Sequence, residues 1–487
     1  MRSLSELNIM IIIRILGFLL LIEGAFMFTG IPFSITQCNE NCYSLLISGA
    51  ITAFSGTIMW FFTRKHANKN LGKREGYIIV ALTWVIISLF GTLPFLISGT
   101  IPKFTDAFFE TISGFTTTGA TILTDIESLP KGILFWRSMT HWIGGMGIIV
   151  LTVAILPVLG IGGMQLYTAE MPGPTKEKLH PRITQTAKRL WGIYVLFTIL
   201  QTLLLMLGGM DLFDSLCHTF GTVATGGFST QNASIAGYSP YIQYVIIIFM
   251  VLAGTNFTLH YLSLHGRLRK LWENEEYRYY ILIMLFTGII LTVFLALLDD
   301  KPFEAAFRIA VFQVVSIVTT TGYITDDYLL WPKFLWFIVF LLMFIGGMAG
   351  STGGGMKVIR QLLLFKNSSV ELKRLIHPQA IIPVRLSGKV VPQDIIFKIM
   401  AFFLLYMLIF AFGTLVMSFT GLDFETAIGS TAATLGNIGP GIGMVGPAGN
   451  YSEITIAGKW FLAFLMLLGR LELFTILILF SPAFWKK

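Results

Sequence analysis

Four short stretches rich in threonine and glycine carry the groups that can bind a small cation through backbone and hydroxyl oxygens. They read TTTGAT from Thr116, VATGGFS from Val223, TTTGY from Thr319 and TLGNIGPG from Thr434. Glycine permits backbone angles that turn successive carbonyl oxygens toward a common axis, and rings of such oxygens replace the hydration shell of an alkali cation. Because none of the four stretches contains an acidic side chain, a carboxylate ring for a divalent ion is disfavoured.

Aligning the four stretches on one glycine each matches Gly119, Gly226, Gly322 and Gly436. In this alignment the fourth copy has Leu435 where the others have threonine, which predicts an asymmetric site with weaker ion discrimination than that of a fourfold channel. The candidate cation ligands are Thr117, Thr118, Gly119, Thr225, Gly226, Thr320, Thr321, Gly322, Thr434, Leu435, Gly436 and Asn437.

The stretches belong to an internal repeat with a period of about 100 residues. Before each one lies a half-length apolar segment that begins with phenylalanine and an acid, and a membrane-spanning run flanks each unit on both sides. Acids suit helix starts, so we expect short helices that enter from outside, with Asp106, Asp214, Glu304 and Glu425 in their first turns. Irregular backbone at membrane depth must line a cavity. Packing alone is the alternative for one such stretch, but fourfold recurrence favours a site.

The elements that position these stretches follow from composition. The chain has 487 residues, of which 55% are hydrophobic and 12% charged, and apolar runs of about 20 residues, long enough to cross a bilayer, recur along it. We predict an all-α membrane protein of about twelve transmembrane helices, with four pseudo-symmetric helix–pore loop–helix repeats around one pore. The expected parts are two N-terminal helices at 1–74 and repeats at 75–165, 166–270, 271–390 and 391–487.

Basic residues predict the orientation, because Lys and Arg collect in cytoplasmic loops. They cluster at 64–74, 176–189, 267–278 and 357–389, so we expect those loops and both termini in the cytoplasm. The net charge of +8 is then mainly a topology signal. No aromatic-interleaved basic face accompanies it, which argues against nucleic acid as a partner.

A second candidate region is the glycine-rich stretch 346–355, which cannot form a stable helix interior. It predicts a break in a spanning segment, either as a close packing site or as a barrier in the ion path. Arg470, in the middle of an apolar run, marks an ion pathway or pairs with a buried acid such as Glu472. The stretches 144–147 and 253–256 occupy the same place in their repeats and are interpreted as relics. The candidate gating residues are Gly346, Gly347, Gly350, Gly353, Gly354, Gly355 and Arg470.

Histidine and cysteine give weaker signals. His141, His218 and His260 lack metal-ligand spacing and are interpreted as packing or loop residues. A disulfide between Cys38 and Cys42 stays open, and Cys217 is interpreted as packing. The sequence has no cluster of His, Asp, Glu or Cys that would indicate an enzyme. It also has no phosphate-binding loop of the kind that an ATPase needs.

The four loops, with GGMAGSTGGGMK from Gly346 and LLGRLELFT from Leu467, resemble the TrkH/TrkG/KtrB superfamily of bacterial potassium transporters over essentially the whole chain, and the two extra N-terminal helices resemble its TrkH branch. The resemblance implies uptake of K⁺ across the bacterial inner membrane by a homodimer with one pore per protomer. It also implies filter glycines at Gly119, Gly226, Gly322 and Gly436, a gating loop at 346–355, and control by a TrkA-like cytoplasmic nucleotide-binding subunit.

Two alternatives of related architecture stay open. A sodium-permeable carrier is disfavoured by glycine at all four aligned positions, since sodium carriers of the wider group tend to have serine at the first. The pore subunit of an ATP-driven potassium pump would need a separate ATPase. Coupling of transport to protons or sodium ions is not decided by the sequence.

Overall fold

The structure, a computed structural model, describes residues 7–35, 43–64, 72–145, 147, 183–298 and 301–486. The two N-terminal helices Ile9–Thr29 and Ser44–Thr63, with the short helix Ile31–Ile35 between them, pack closely along glycines. A Cβ on Gly56 would lie 2.6 Å from the carbonyl oxygen of Gly17. Small residues of this kind let helix backbones approach within a bilayer.

Each repeat begins with a long helix followed by a short one that does not cross. The long first helices are Lys73–Gly91, continued by Leu93–Ile97, then Ile183–Leu207, Glu275–Leu298 and Gln393–Phe419. The short helices, numbered half helices 1 to 4, are Phe104–Phe115, Leu212–Val223, Phe303–Val318 and Phe424–Gly436.

The first turns of the half helices hold the four acids expected there, Asp106, Asp214, Glu304 and Glu425, which confirms that part of the repeat. In half helices 2 and 4 the helix start is capped by the residue that precedes it. Asp211 accepts from the backbone N–H of Asp214 at 3.0 Å, and Asp423 accepts from that of Thr426 at 3.1 Å. These bonds satisfy donors that a helix start leaves free.

The second helix is interrupted in repeats 2, 3 and 4. Pro240–Ala253 and Phe257–Leu264 meet at 103°, and Ile456–Arg470 and Phe474–Phe480 meet at 118°. Between Lys333–Leu342 and Val358–Ile376 lies the glycine-rich stretch, and Lys131–Gly145 runs up to residues outside the described ranges. We call 346–357 the glycine-rich segment.

The remaining elements are short. Helix Arg269–Glu273 and the 3₁₀ turns Tyr328–Leu330 and Gly443–Val445 lie between longer helices, and helix Pro482–Trp485 follows the last of them. Strands Arg385–Leu386 and Lys389–Val390 form an antiparallel hairpin in which Arg385 pairs with Val390 and Leu386 with Lys389. Ser387 and Gly388 at its tip both have positive φ, as a tight two-residue hairpin turn requires.

Within the described ranges, six helices are long and apolar enough to cross a membrane, or up to eight if each bent pair is one span. The expected count of about twelve crossings is not reached there. Residues 146 and 148–182 lie outside these ranges, and the breaks divide the second helices of repeats 2 to 4 into pieces that are shorter than a full span. The Gln393–Phe419 and Glu275–Leu298 spans bury only 28% of their most apolar windows, as lipid-facing helices do.

Long-range contacts bring several basic clusters together. Arg74 donates to the carbonyl oxygen of Lys486 at 2.6 Å, so the C-terminus lies beside the cluster at 72–74. Lys366 forms an ion pair with Glu275, whose N–H bonds the Ser387 hydroxyl at 3.3 Å. The possible disulfide between Cys38 and Cys42 lies outside the described residues. So do parts of two basic clusters, residues 65–71 and 176–182.

Candidate functional site: four loops and the segment beneath them

All four half helices end in the same backbone motif. In each, a residue with left-handed φ is followed by a residue whose N–H bonds a carbonyl five positions earlier, which is the Schellman arrangement. The left-handed residues are Thr117, Thr225, Thr320 and Asn437, with φ of 53°, 57°, 59° and 53°. The bonds are Thr118 to Ser113, Gly226 to Gly221, Thr321 to Ser316 and Ile438 to Ala433, at 2.8–2.9 Å. We call 116–120, 224–228, 319–323 and 436–440 loops 1 to 4.

The motif fixes which residues are equivalent, and it corrects the alignment made from sequence. Two positions after the left-handed residue comes a glycine with positive φ in every loop: Gly119, Gly227, Gly322 and Gly439, with φ of 78°, 82°, 79° and 96°. Gly226 is therefore one position short of the shared glycine.

The fourth copy differs more from the sequence alignment. Thr434, Leu435 and Gly436 lie in the last turn of half helix 4, and the Thr434 hydroxyl donates to the carbonyl of Ser430 in the same helix. Asn437 and Ile438, not Thr434 and Leu435, therefore match the threonine pairs of loops 1 and 3. The expected departure at Leu435 was wrong, because half helix 4 runs on to Gly436 and the loop that follows starts three residues later than the alignment placed it.

The shared glycines close the four loops into a ring. A Cβ on Gly119 would overlap the carbonyl oxygen of Gly226, and one on Gly227 would overlap that of Thr321. A Cβ on Gly322 would overlap the Ile438 carbonyl, and one on Gly439 would lie 2.7 Å from that of Thr118. Each glycine thus faces the carbonyl that precedes the glycine of the next loop, in the order 1, 2, 3, 4 and back to 1.

A cavity of about 220 Å³ lies against this ring, and all four shared glycines line it together with residues that follow the loops. The left-handed threonines are fully buried beside the ring. A β-branched residue with positive φ is a true outlier, and such a conformation costs about 1–3 kcal/mol and persists only where the surroundings hold it. Three of them at one place indicate a functional constraint.

The glycine-rich segment lies directly against the ends of the half helices. The Gly354 N–H donates to the Thr320 hydroxyl at 2.7 Å, and the Thr352 hydroxyl donates to the Val223 carbonyl at 3.1 Å. A Cβ on Gly353 would lie 3.0 Å from the Thr319 carbonyl and one on Gly355 would lie 3.2 Å from that of Gly436. The segment therefore reaches half helices 2, 3 and 4 on the side of the loops opposite the cavity.

Arg470 connects the same region to repeat 1. Its guanidinium donates to the Thr117 hydroxyl at 3.1 Å, to the Thr352 carbonyl at 2.8 Å, and to the carbonyls of Gly144 and Gly145 at 2.5 and 3.0 Å. Glu472, considered from sequence as its partner, forms an ion pair with Arg360. Arg470 thus places a positive charge beside loop 1 and the glycine-rich segment.

The two stretches interpreted as relics also belong to this region, which corrects that interpretation. Met348 donates to the Gly254 carbonyl at 2.9 Å, and Phe257 donates to the Gly350 carbonyl at 3.0 Å. With the bonds from Arg470 to Gly144 and Gly145, the breaks in the second helices of repeats 2 to 4 and the described end of that helix in repeat 1 are linked by hydrogen bonds. Of the predicted gating residues, Gly346 donates to the Met356 carbonyl within the segment, and Gly347 accepts from Val358, the first residue of the helix that follows. Gly350 and Gly355 have positive φ.

Sequence reasoning missed the side chains that hold the loops from behind. His141 accepts from the Phe228 N–H at 3.1 Å, so its other ring nitrogen donates to the Gly114 carbonyl at 2.7 Å. His218 bonds the Ser229 hydroxyl at 2.9 Å, and the Tyr451 hydroxyl donates to the Gly439 carbonyl at 2.7 Å. Cys217 is a buried free thiol.

The fold and the ring define a class: an all-α membrane protein in which four pseudo-symmetric repeats surround one axis. Comparison with known proteins names the family within it. The sequence profile of the TrkH family, described as cation transport proteins, matches residues 44–487. This chain belongs to that family.

Its relatives include the Trk system potassium uptake protein TrkH of Escherichia coli K12, 48% identical over 439 residues that cover 89% of this chain and 90% of the relative. The TrkH protein of Halomonas elongata is 43% identical over 485 residues, covering 99% of this chain and 100% of that one. The crystal structure of the potassium transporter TrkH from Vibrio parahaemolyticus matches with a TM-score of 0.89 and 40% identity, covering 99% and 100% of the two chains.

Proposed function

We propose that this chain takes up K⁺ across the bacterial inner membrane, and that loops 1 to 4 form its selectivity filter. The observation that carries the proposal is the closed ring of loops, in which one backbone motif occurs four times around an axis. Rings of carbonyl and hydroxyl oxygens suit K⁺. The names of the relatives, potassium uptake proteins, support the same ion.

The proposed ligands are backbone and hydroxyl oxygens of the three central residues of each loop. They are those of Thr117, Thr118, Gly119, Thr225, Gly226, Gly227, Thr320, Thr321, Gly322, Asn437, Ile438 and Gly439. The C-terminal ends of the half helices, with their partial negative charge, favour a cation beneath the ring. A potential of about 100 mV contributes roughly 2.3 kcal/mol per charge, which corresponds to roughly fifty-fold accumulation at ~1.4 kcal/mol per decade.

The glycine-rich segment and Arg470 form the proposed gate. The segment fills the space at the inner ends of half helices 2 to 4, and Arg470 adds a cationic side chain that repels K⁺ there. Opening requires that the segment leave the Thr320 and Val223 contacts. The filter itself need not change, because its loops bond the outer scaffold as well.

Family membership also supports proposals about assembly. They are a homodimer with one pore per protomer, both termini in the cytoplasm, and control by a TrkA-like nucleotide-binding subunit. The helix Arg269–Glu273 and the hairpin 385–390, which carry exposed basic residues, are the proposed cytoplasmic contact surface. We also keep the division at 1–74, 75–165, 166–270, 271–390 and 391–487 as the proposed units.

Uptake of radioactive rubidium into liposomes that hold the purified protein tests the function. Under an imposed negative-inside potential, unlabelled K⁺ and Rb⁺ should compete for uptake, whereas Na⁺ and Li⁺ should not. Equal competition by Na⁺ would favour the sodium-permeable alternative. Liposomes with the TrkA-like subunit provide the open-gate control, and no uptake of any ion with that subunit present would contradict the proposal.

A further inference from the structure

A buried ion pair lies behind loops 1 and 2. Glu110 in half helix 1 and Arg137 in the second helix of repeat 1 are joined by a bond of 2.7 Å between Oε1 and Nε, and their side chains are 0% and 2% exposed. Burying two charges is costly unless further hydrogen bonds satisfy their remaining atoms. The partners of those remaining atoms therefore show what the pair is built to hold.

The carboxylate of Glu110 holds the backbone just outside loop 1. The Thr121 hydroxyl donates to it at 2.8 Å, and the Ile122 N–H donates to Oε2 at 2.9 Å. Thr121 comes two residues after the shared glycine Gly119. Hydrogen bonds to a charged acceptor are shorter and stronger than neutral ones, so the carboxylate restrains this end of loop 1.

The guanidinium of Arg137 holds the corresponding part of loop 2. It donates to the Ser229 carbonyl at 2.9 Å, and its Cζ lies 3.6 Å from the centre of the Phe228 ring. Ser229 comes two residues after the shared glycine Gly227. The ion pair thus joins equivalent points on two neighbouring filter loops.

The other repeats show that the charge is confined to one of the four positions. In the register set by the loops, Glu110 corresponds to His218, Gln313 and Ser430. His218 makes the equivalent contact, to the Ser229 hydroxyl at 2.9 Å. Among the described residues the Gln313 Oε1 has no hydrogen-bond partner, and the Ser430 hydroxyl donates to a carbonyl of its own helix.

The pair also contributes to the wall of the outer cavity, because Arg137 lines that cavity together with the four shared glycines. An arginine beside the path of a cation would repel it. Glu110 compensates this charge without reaching the ring itself. Loss of either partner would therefore leave a charge of one sign next to the outer mouth of the filter.

We propose that the Glu110–Arg137 pair is a positioning device that fixes the spacing of loops 1 and 2 and so sets the preference for K⁺ over Na⁺. This inference rests on the proposed function of the loops as a potassium filter. Neither residue binds the ion. Their effect is through the backbone that follows Gly119 and Gly227, and through the balance of charge at the outer cavity.

The test is the K⁺/Na⁺ permeability ratio, from bi-ionic reversal potentials of full-length protein in planar bilayers with its regulatory subunit. We expect Glu110→Gln and Arg137→Gln each to lower the ratio at least about tenfold, since one unpaired buried charge displaces the loops by breaking contacts of several kcal/mol. Single-channel current should fall in Glu110→Gln, which leaves the positive charge, and fall less or rise in Arg137→Gln. Arg137→Lys keeps the charge and should restore current more than selectivity.

The matched control is the ion pair of Asp106 and Lys459, which is also 2.7 Å long and lies at the start of the same half helix. Lys459 donates in addition to the Ser452 carbonyl rather than to a filter loop. Asp106→Asn should lower protein yield or melting temperature and leave the permeability ratio unchanged. A wild-type ratio in Glu110→Gln and Arg137→Gln would overturn the inference.

A variant with the ion pair intact covers the case in which the charge variants do not fold. Thr121→Val removes one of the donors that bond the Glu110 carboxylate and should lower the ratio about two- to threefold, less than loss of the ion pair, because the Ile122 N–H still bonds Glu110. An unchanged ratio in Thr121→Val would count against the inference. The permeability ratio of the wild-type protein distinguishes this test from that of the proposed function. A wild-type protein that does not prefer K⁺ would contradict the proposed filter, whereas a wild-type ratio in the variants would contradict only the role of the ion pair.

Discussion

The outer and inner halves of this protein are built by different rules. On the outer side, four loops of different sequence adopt one backbone motif and close into a ring. On the inner side, the second helices are interrupted in unlike ways, by bends of 103° and 118° and by the glycine-rich segment. Ion selectivity needs equal distances from several ligands at once, which requires repetition. The proposed gate needs only one obstruction to block a path, so under this proposal the inner half is free to be asymmetric.

Charge follows the same division. The three central residues of the four loops are uncharged, whereas Lys357, Arg360, Arg470 and Glu472 lie together at the inner breaks. Lys357 donates to the Gly353 carbonyl within the glycine-rich segment. Substitutions in the outer half should therefore change which ion passes, and substitutions in the inner half should change how much passes.

The largest effect is expected from Gly439→Ala. Its φ of 96° disfavours any L side chain, and the new Cβ would lie 2.7 Å from the Thr118 carbonyl. We expect selective uptake of K⁺ over Na⁺ to fall at least about tenfold, because the backbone strain alone costs roughly 1–2 kcal/mol. Competition of Na⁺ with rubidium uptake measures it.

Two glycines provide controls for that substitution. Gly436→Ala places a methyl group inside half helix 4, 2.9 Å from the flexible end of the Ile438 side chain, and should retain most of the selectivity. Gly209→Ala has the same backbone strain, with φ of 91° and nothing within 4 Å, but lies away from the ring. Equal loss in Gly436→Ala and Gly439→Ala would contradict the corrected register.

Arg470→Ala tests the inner half. Removing the guanidinium removes the hydrogen bonds that it donates to the Thr117 hydroxyl and the Thr352 carbonyl, and it removes a positive charge from the proposed ion path. Basal flux without a regulatory subunit should rise about tenfold, since each bond from a charged donor contributes roughly 1.5–3 kcal/mol. Arg374→Ala, on the exposed end of helix Val358–Ile376, should leave flux unchanged. Equal or lower flux in Arg470→Ala at matched protein level would rule out a barrier role.

Asn437→Ala sharpens the comparison within the outer half. The Asn437 amide donates to the Thr118 hydroxyl and to the Met466 carbonyl, both at 2.9 Å, and its backbone is left-handed. The K⁺/Na⁺ ratio should fall about fivefold, because an alanine there costs roughly 1 kcal/mol in backbone energy as well as the bonds. Asn437→Gly relieves the backbone strain but does not restore the hydrogen bonds. Its K⁺/Na⁺ ratio should therefore lie between that of Asn437→Ala and that of the wild type. A wild-type ratio in both variants would remove loop 4 from the filter.

Thr352→Val should give the smallest effect, on flux alone. The hydroxyl bonds the carbonyls of Val223 and Ala253 at 3.1 and 3.2 Å and thereby fastens the glycine-rich segment to repeat 2. Basal flux should rise about two- to fivefold, because neutral hydrogen bonds contribute roughly 1 kcal/mol each. Thr352→Ser keeps the donor and serves as the control. A change in ion preference in Thr352→Val would contradict the division of the two halves.

The repeat and the half helices could be predicted because their signals are local: an acid in the first turn, an apolar run and a glycine. The register failed at Gly226 and Gly436 because a nearby glycine was accepted in place of the shared one. Reading the copies as TTTG, ATGG, TTTG and GNIG puts one glycine in the fourth place of each. That reading would have identified Gly227 and Gly439 and matched Asn437 with the threonines.

The contacts of the inner half could not be read from the sequence, because each one joins residues far apart in the chain. Arg470 bonds Thr117 and Gly144, and Glu472 forms an ion pair with Arg360. The stretches at 144–147 and 253–256 contain no side chain that indicates a function. Their involvement follows from backbone hydrogen bonds to distant residues, which only the structure shows. Glu110 and Arg137 gave no signal for the same reason.

The most direct test of the central claim is anomalous diffraction from crystals of the protein grown in rubidium, with a second crystal in sodium. We expect a rubidium peak on the axis between the four loops, within coordination distance of carbonyl oxygens in the ring of Gly119, Gly227, Gly322 and Gly439. The peak should be absent from the crystal grown in sodium. A rubidium peak elsewhere in the chain and none between the loops would contradict the account.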